Sequence, residues 1–503
     1  MTSTSTATTP LRRSAPEAVG VDPAGVLAFL DDVDARGIEL HSVVLVRHGH
    51  VAAEGWWHPY GPDRVHLLYS LSKTFTSAAL GFAVAEGLVD LDATVLSYFP
   101  ELDDTVTDPR SRAMLVRHVA AMASGHAEET HDDAWELSPD DLVRGFLLIP
   151  PQHEPGTHFA YNQPCTYAVA AIVQRRAGVS LTEYLGPRLF APLGITVGGW
   201  QQAPTGQDLG FSGLHLTTEA VARFGQLLLD DGVLDGRRVL PEGWVDLASQ
   251  VHVATVEQPG EGAARADGGD WDQGYGFQLW RSRHGYRGDG AYGQFCLVLP
   301  EHDAVLVTTA GTEDMQGLLD AAWAHLLPAF GEVPDGDDAG DDGTLSPTAR
   351  ALADRLAVLA IRLPTGGAPL TEAAFEAGRA ASGRAERLEL RRVTGHWEVE
   401  AVVDGQTWVA QAGDGHWAVT EPTDVQPALA VAVAATEAGA VHVDVVLLET
   451  PHRLSLVGDG GTLTTRWHTE PLGPLPVSMQ RPLPGVPAPD AASPDARTGV
   501  PRR

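Results

Sequence analysis

Ser70-Leu71-Ser72-Lys73 sets a hydroxyl and an amine three residues apart at the head of a stretch rich in Ala and Leu. On a helix this spacing puts both groups on one face, one turn from each other. The N-terminal end of a helix also presents free N–H groups and positive potential. A serine hydroxyl is a poor nucleophile until a neighbouring base removes its proton. A buried amine near such an end loses its own proton readily and can be that base, whereas a guanidinium stays charged. The chain carries 34 basic residues, and Lys73 is its one lysine; the others are arginine. Compositional drift toward arginine explains the missing lysines. It does not explain where the remaining one sits.

Two further stretches could join this pair. In Pro155-Gly156-Thr157-His158-Phe159-Ala160-Tyr161-Asn162-Gln163 a turn leads into a tyrosine followed by two amides. A tyrosine hydroxyl beside a lysine amine can pass a proton. The stretch Gly288-Asp289-Gly290-Ala291-Tyr292-Gly293-Gln294 has the spacing GxGxxG. Dinucleotide binding requires a helix after such glycines, but Phe295-Cys296-Leu297-Val298-Leu299-Pro300 reads as a strand, so that reading is set aside. Glycines beside a strand instead let another backbone approach closely.

In this order the three elements resemble the class C β-lactamase, D,D-peptidase and esterase family. Glu86-Gly87-Leu88-Val89-Asp90-Leu91-Asp92, Met122-Ala123-Ser124-Gly125-His126 and Pro192-Leu193-Gly194-Ile195 resemble further segments of that family, and the similarity runs from about residue 20 to 328. The resemblance implies that Ser70 forms an acyl-enzyme and that Lys73 and Tyr161 share the proton work. It also implies an oxyanion hole from the backbone N–H groups of Ser70 and Ala291. Gln163 would contact the substrate, with Asn162, Gly288, Gly290, Arg287 and Trp57 as further candidates for the substrate pocket.

The sequence departs from the family in two places. The tyrosine triplet is Tyr161-Asn162-Gln163, with Gln where the family usually has Asn. More consequentially, Gly288 occupies the position where penicillin-handling members carry Lys or His. That cation helps to hold a substrate carboxylate, and its loss removes a charge-assisted hydrogen bond. Arg287 is adjacent and is a candidate substitute. An esterase or amidase acting on a small substrate is therefore favoured. A β-lactamase or D-stereospecific peptidase, and a catalytically silent binding protein, are the alternatives. An α/β-hydrolase would need a GxSxG nucleophile elbow, and none is found.

Around these residues the sequence predicts positioning elements. Asp22-Pro23 opens a helix with Val26, Leu27, Leu30 and Val33 on one face. Ser42–Arg47 and Val51–Trp57 form a hairpin turning at His48-Gly49-His50. Leu71–Leu88 is a buried helix, and strands are expected at Tyr275–Arg281, Phe295–Leu299 and Ala304–Thr309. Met315–Ala329 reads as a closing helix. Trp56, Trp57 and Tyr60 either line an acyl pocket or cap the core. After the acidic, Gly-rich stretch 331–346 come a helix near Thr348–Leu363 and short strands at Leu388–Val393, His396–Val403, Thr407–Gln411, His416–Val419, Val441–Leu448, Arg453–Val457 and Leu463–His468, the spacing of a small sandwich or barrel.

The fold class expected is α/β (α+β). A β-lactamase-like antiparallel sheet with flanking helices and a helical subdomain occupies residues 19–330, and a helix plus a β-rich domain occupies 347–470. Residues 1–18 and 471–503 read as disordered tails, and 331–346 as a linker. The net charge of −32 argues against nucleic-acid and anionic-membrane partners, which need a basic footprint. The N-terminus has no apolar segment of a secretory signal, and Cys165 and Cys296 alone make no disulfide framework, so a cytoplasmic protein with reduced thiols is expected. His118, His126 and His131 follow no metal-ligand spacing, and no metal or cofactor is expected. Oligomeric state is left open.

Overall fold

A computed structural model of the chain describes residues 10–256, 268–333, 345–377, 385–423 and 426–472. The expected acidic linker falls mainly outside these residues, as does nearly all of the expected C-terminal tail.

The N-terminal half begins with helix α1, Pro23–Arg36. Asp22 caps it by accepting the Ala24 N–H at 2.8 Å, Pro23 starts it with a fixed φ, and left-handed Gly37 ends it. Strands β1 (Leu40–Arg47) and β2 (His50–Trp56) form the expected hairpin. Its two turn residues, His48 and Gly49, both take positive φ, the geometry that matches strand twist in a tight hairpin. Helix α2 spans Ser72–Ala85, behind a single 3₁₀ turn at Tyr69–Leu71. Helices α3 (Gln163–Ala177) and α4 (Thr218–Leu229) follow. The chain then returns to the sheet as β3 (Tyr286–Gly290), β4 (Gln294–Leu299) and β5 (Ala304–Ala310).

The sheet has seven strands in the order Arg12–Arg13, β2, β1, β5, β4, β3 and Trp280–Arg281. All neighbours are antiparallel except the first pair, where Arg12 lies beside His50. Residues from Pro10 onward are therefore part of the fold rather than of a tail: Arg13 pairs with Glu54 and Glu219. The sheet is apolar on both faces, with alternate residues feeding different cores. Val44, Val46, Val298, Val305 and Val307 join the α2 and α3 side, where Phe75, Ala79 and Ile172 are buried. Val43, Leu45, Phe295, Leu297 and Leu306 join the α1 side, with Phe29, Leu30 and Leu319.

Three expected elements differ. Of the strand expected at Tyr275–Arg281 only Trp280–Arg281 forms. Gln278 takes a left-handed φ, and its side chain turns inward to donate to the Ala120 carbonyl at 2.8 Å. The closing helix is α-helical over Met315–Ala321 and continues as a π-turn over Ala322–Leu326. The helix expected to reach Leu363 ends at Ala357, because the chain beyond it runs out to bridge His58, with Ile361 N donating to the His58 carbonyl at 2.8 Å.

The C-terminal half is a nine-stranded sheet, closed where Gln406–Asp414 pairs with both His396–Val403 and Leu429–Ala435. Its interior is filled by side chains such as Leu388, Trp408, Val431, Val443 and Leu456. Two strands, Ala373–Ala377 and Leu429–Ala435, were not expected from the sequence. The second is buried along its whole length because its two faces meet different cores: Leu429, Val431 and Val433 fill the barrel, while Ala428, Ala430 and Ala432 pack with the sheet residues of the N-terminal half.

Candidate active site

Ser70 lies in the 3₁₀ turn that leads into α2, and Lys73 lies in the first turn of the helix, so the three-residue spacing brings their side chains together as helical geometry requires. Lys73 Nζ is 2.9 Å from Ser70 Oγ. It also donates to Gln163 Oε1 at 2.5 Å and to the Phe211 carbonyl at 2.8 Å, and lies 4.8 Å above the centre of the Tyr161 ring. The lysine is 1% exposed. Burial brings its pKa down to about 7, although Glu129 and Asp289 nearby favour the charged form.

The Tyr161 ring stacks on Trp280 with centroids 5.4 Å apart and lies under the Lys73 amine. Burial, together with the carboxylate of Asp289, pushes the ionisation of Tyr161 well above that of an ordinary phenol. The hydroxyl is therefore a proton donor at neutral pH.

The structure brings Ser70, Lys73, Tyr161 and Gln163 together and assigns other surroundings to the remaining candidates. Gln163 opens α3; its carbonyl oxygen holds Lys73, and its backbone N–H donates to Glu129 at 2.8 Å. Asn162, expected at the substrate, is instead fully buried against Thr130, whose N–H and hydroxyl both lie 3.1 Å from its Oδ1. It ties the loop carrying Glu129 to the start of α3. Trp57 does not line the site either: it is buried in the core on the α1 side, and its backbone N–H donates to the His41 carbonyl at 2.9 Å. Tyr60 stacks on His41 with centroids 3.9 Å apart, so these aromatics cap the core.

Strand β3 sorts its residues by face. Gly288 and Gly290 point at the turn that carries Ser70, not into open space. A Cβ on Gly288 would meet Thr74 Oγ1 at 2.2 Å and Leu71 Cδ1 at 2.5 Å, and one on Gly290 would meet the Leu68 carbonyl oxygen at 2.0 Å. These glycines let the strand lie against the turn that carries Ser70. Arg287 and Asp289 point the other way. Arg287 is fully buried, donates to Asp289 at 3.0 Å, to Ser282 Oγ at 2.6 Å and to the Asp270 carbonyl at 2.8 Å, and packs over the Trp271 ring. Its Nε and Nη1 are thus held by the protein, while Nη2 is buried with no hydrogen-bond partner among the described residues. Ala291 follows the strand directly, and its carbonyl accepts from Gln294 Nε2 at 3.0 Å, which fixes the turn.

Sequence reasoning missed Glu129, Asp289 and the Phe211 carbonyl. Asp289 stood inside a motif read for its glycines. Glu129 lies one residue before Thr130, which anchors Asn162. Phe211 sits between left-handed Gly210 and Gly213, a local sign of a shaped loop. The three histidines go to separate partners: His118 to the Leu115 N–H, His126 to Ser124 and the Ile149 carbonyl, His131 to Trp135. Both cysteines are buried and unpaired with each other, and burial pushes each thiol up to about 12. Among the described residues no helix is long and apolar enough to cross a membrane.

A profile of the family described as Beta-lactamase matches residues 28–329, more than half of the chain. The chain belongs to the Beta-lactamase family. As a β-lactamase-family hydrolase it is 29% identical over 296 residues to the 6-aminohexanoate-dimer hydrolase of Paenarthrobacter ureafaciens, covering 54% of this chain and 72% of that protein. A lovastatin esterase of Penicillium rubens is 28% identical over 160 residues, covering 27% of this chain and 40% of that protein. A D-aminopeptidase of Gluconobacter oxydans is 26% identical over 188 residues, covering 34% and 31%. Against these last two the chain spans less than half of the relative's length. Among solved structures, a putative β-lactamase from Bacteroides dorei superposes with a TM-score of 0.49 at 16% identity, covering 61% of this chain and 99% of the other.

Proposed function

We propose that this β-lactamase-family protein is a serine hydrolase that cleaves an ester or amide bond of a small substrate through an acyl-enzyme on Ser70. The observation that carries this reading is the buried Lys73 amine, 2.9 Å from Ser70 Oγ with a pKa near 7. In its neutral form the amine takes the hydroxyl proton as Ser70 Oγ bonds to the substrate carbonyl carbon. The backbone N–H groups of Ser70 and Ala291 stabilise the oxyanion. Tyr161 donates its proton to the departing nitrogen or oxygen as the old bond breaks, and recovers a proton from the Lys73 ammonium. Water then attacks the ester on Ser70 by the same steps in reverse.

Linear amides and esters suit the site better than penicillins. No cation can stand at Gly288, where even a methyl group collides with Thr74, and Arg287 is engaged by Asp289. Glu129 and Asp289 close to Lys73 also disfavour a substrate carboxylate. The relatives named for a 6-aminohexanoate dimer and for lovastatin support amide and ester bonds as the bonds cleaved.

The test is labelling with a fluorophosphonate and mapping of the adduct, with Ser70→Ala beside the wild type. An adduct on Ser70 that vanishes in the variant is expected, and no adduct there would overturn the reading. A panel of p-nitrophenyl esters, linear amides and nitrocefin then ranks the substrates, and efficient nitrocefin turnover would overturn the preference against penicillins.

A further inference from the structure

The residues beside both expected oxyanion donors are held by the C-terminal barrel. Tyr69, immediately before Ser70, has φ of 48°, and Tyr292, immediately after Ala291, has φ of 69°. Bulky residues keep a left-handed backbone only where their surroundings over-determine it. Here the surroundings come from the loops at one end of the barrel. The Tyr69 hydroxyl meets His452 Nε2 at 2.8 Å. His452 Nδ1 lies 3.0 Å from the Thr469 carbonyl, which can only accept, so Nδ1 carries the proton and Nε2 receives the tyrosine's. The Tyr292 hydroxyl donates to the Glu470 carbonyl. The His452 ring stands edge-on to both tyrosines, each with centroids 5.9 Å away, and the tyrosines lie 5.8 Å from each other.

His452 is itself fixed from several sides. Its backbone N–H donates to Thr450 Oγ1 at 3.2 Å and its carbonyl accepts from the Leu447 N–H at 3.0 Å. It is fully buried, as is Thr450 to within 1%. A rigid acceptor from the second half of the chain thus meets the one side chain whose backbone leads directly into the nucleophile.

We propose that His452 is a positioning residue of the active site: by accepting the Tyr69 hydroxyl it holds the left-handed turn that aims Ser70, and through the shared ring cluster it ties that turn to Tyr292 beside Ala291. This rests on the acyl-enzyme reading above. The C-terminal barrel is on this account a part of the catalytic apparatus, although among the described residues none of its side chains bonds to Ser70 or Lys73.

The experiment uses the full chain and reads the second-order rate of fluorophosphonate acylation at Ser70, with kcat and KM for a p-nitrophenyl ester. His452→Phe keeps a ring but removes the acceptor, Tyr69→Phe removes the donor, and His452→Gln restores an acceptor. Each Phe variant is expected to slow acylation about tenfold or more through kcat, the double variant to be no slower than about twofold beyond either, and His452→Gln to recover most of the rate. Tyr60→Phe is the reference for barrel docking, since it loses a bond to the Thr450 carbonyl without touching the nucleophile turn. It is expected to acylate at the wild-type rate. Wild-type rates in Tyr69→Phe, or an equal loss in Tyr60→Phe, would overturn the proposal even if His452→Phe fails to fold. A wild type that takes no label at Ser70 would instead overturn the acyl-enzyme reading.

Discussion

Lys73 stands where an ammonium is poorly solvated, yet two carboxylates face it. Burial wins, and the amine titrates near 7 instead of near 10. The sign of the resulting pH dependence follows directly. In the proposed mechanism the base is the neutral amine, so kcat/KM should rise with pH through about 7 and level off above it. A pH–rate profile of ester hydrolysis checks this, and a profile already flat below neutrality would contradict it. Lys73→Arg keeps the charge but cannot become neutral at accessible pH, so acylation should fall by about 10³-fold or more. Tyr161→Phe keeps the ring stacked on Trp280 and removes the proton donor. It should slow turnover by about 10²-fold, with a larger effect on amides than on activated esters, whose leaving groups need no proton. Parallel kinetics on an anilide and a p-nitrophenyl ester separate the two.

At the scale of elements, the approach of β3 to the turn that carries Ser70 depends on Gly288 and Gly290 having no side chain. Gly288→Ala would drive a methyl group into Thr74 and Leu71. Overpacking of this kind costs about 1–3 kcal/mol. A lowered thermal midpoint is expected together with slower acylation, read by melting and by labelling of the same sample. This packing also marks how far the sequence could be read. The SxxK spacing told which side chains share a helix face, because helical geometry is local, and the hairpin was legible from its alternation and turn. The directions of Gly288, Arg287 and Asp289 were not legible, because the face that each residue of a strand presents is set by register with distant partners. Asn162 and Trp57 looked like pocket residues for the same reason: their chemistry is visible in the sequence, but Thr130 and the α1-side core that claim them are not adjacent to them. Leu429–Ala435 escaped notice because a strand buried on both faces shows no alternation.

Over the whole molecule, one core runs through both halves. Trp417, Ala430, Val446 and Leu448 of the barrel are buried in the same cluster as Leu45, Leu297 and Phe29 of the N-terminal half. Arg453 of the barrel also reaches Glu39 at 2.8 Å, an inward-facing pair whose carboxyl is nevertheless pushed up by burial. The two halves should therefore unfold as one unit, and calorimetry of the full chain should give a single transition. Two well-separated transitions would refute that coupling. Another feature belongs to the entire chain. Because Lys73 is the one lysine among 503 residues, protein grown on isotopically labelled lysine carries one labelled ε-amine, and that amine is the proposed base. Its resonance followed against pH would report the protonation of the active site with no assignment problem. By the same token, reductive methylation has only the chain terminus and Lys73 to modify, and mapping the methyl groups would tell which of the two any loss of activity follows.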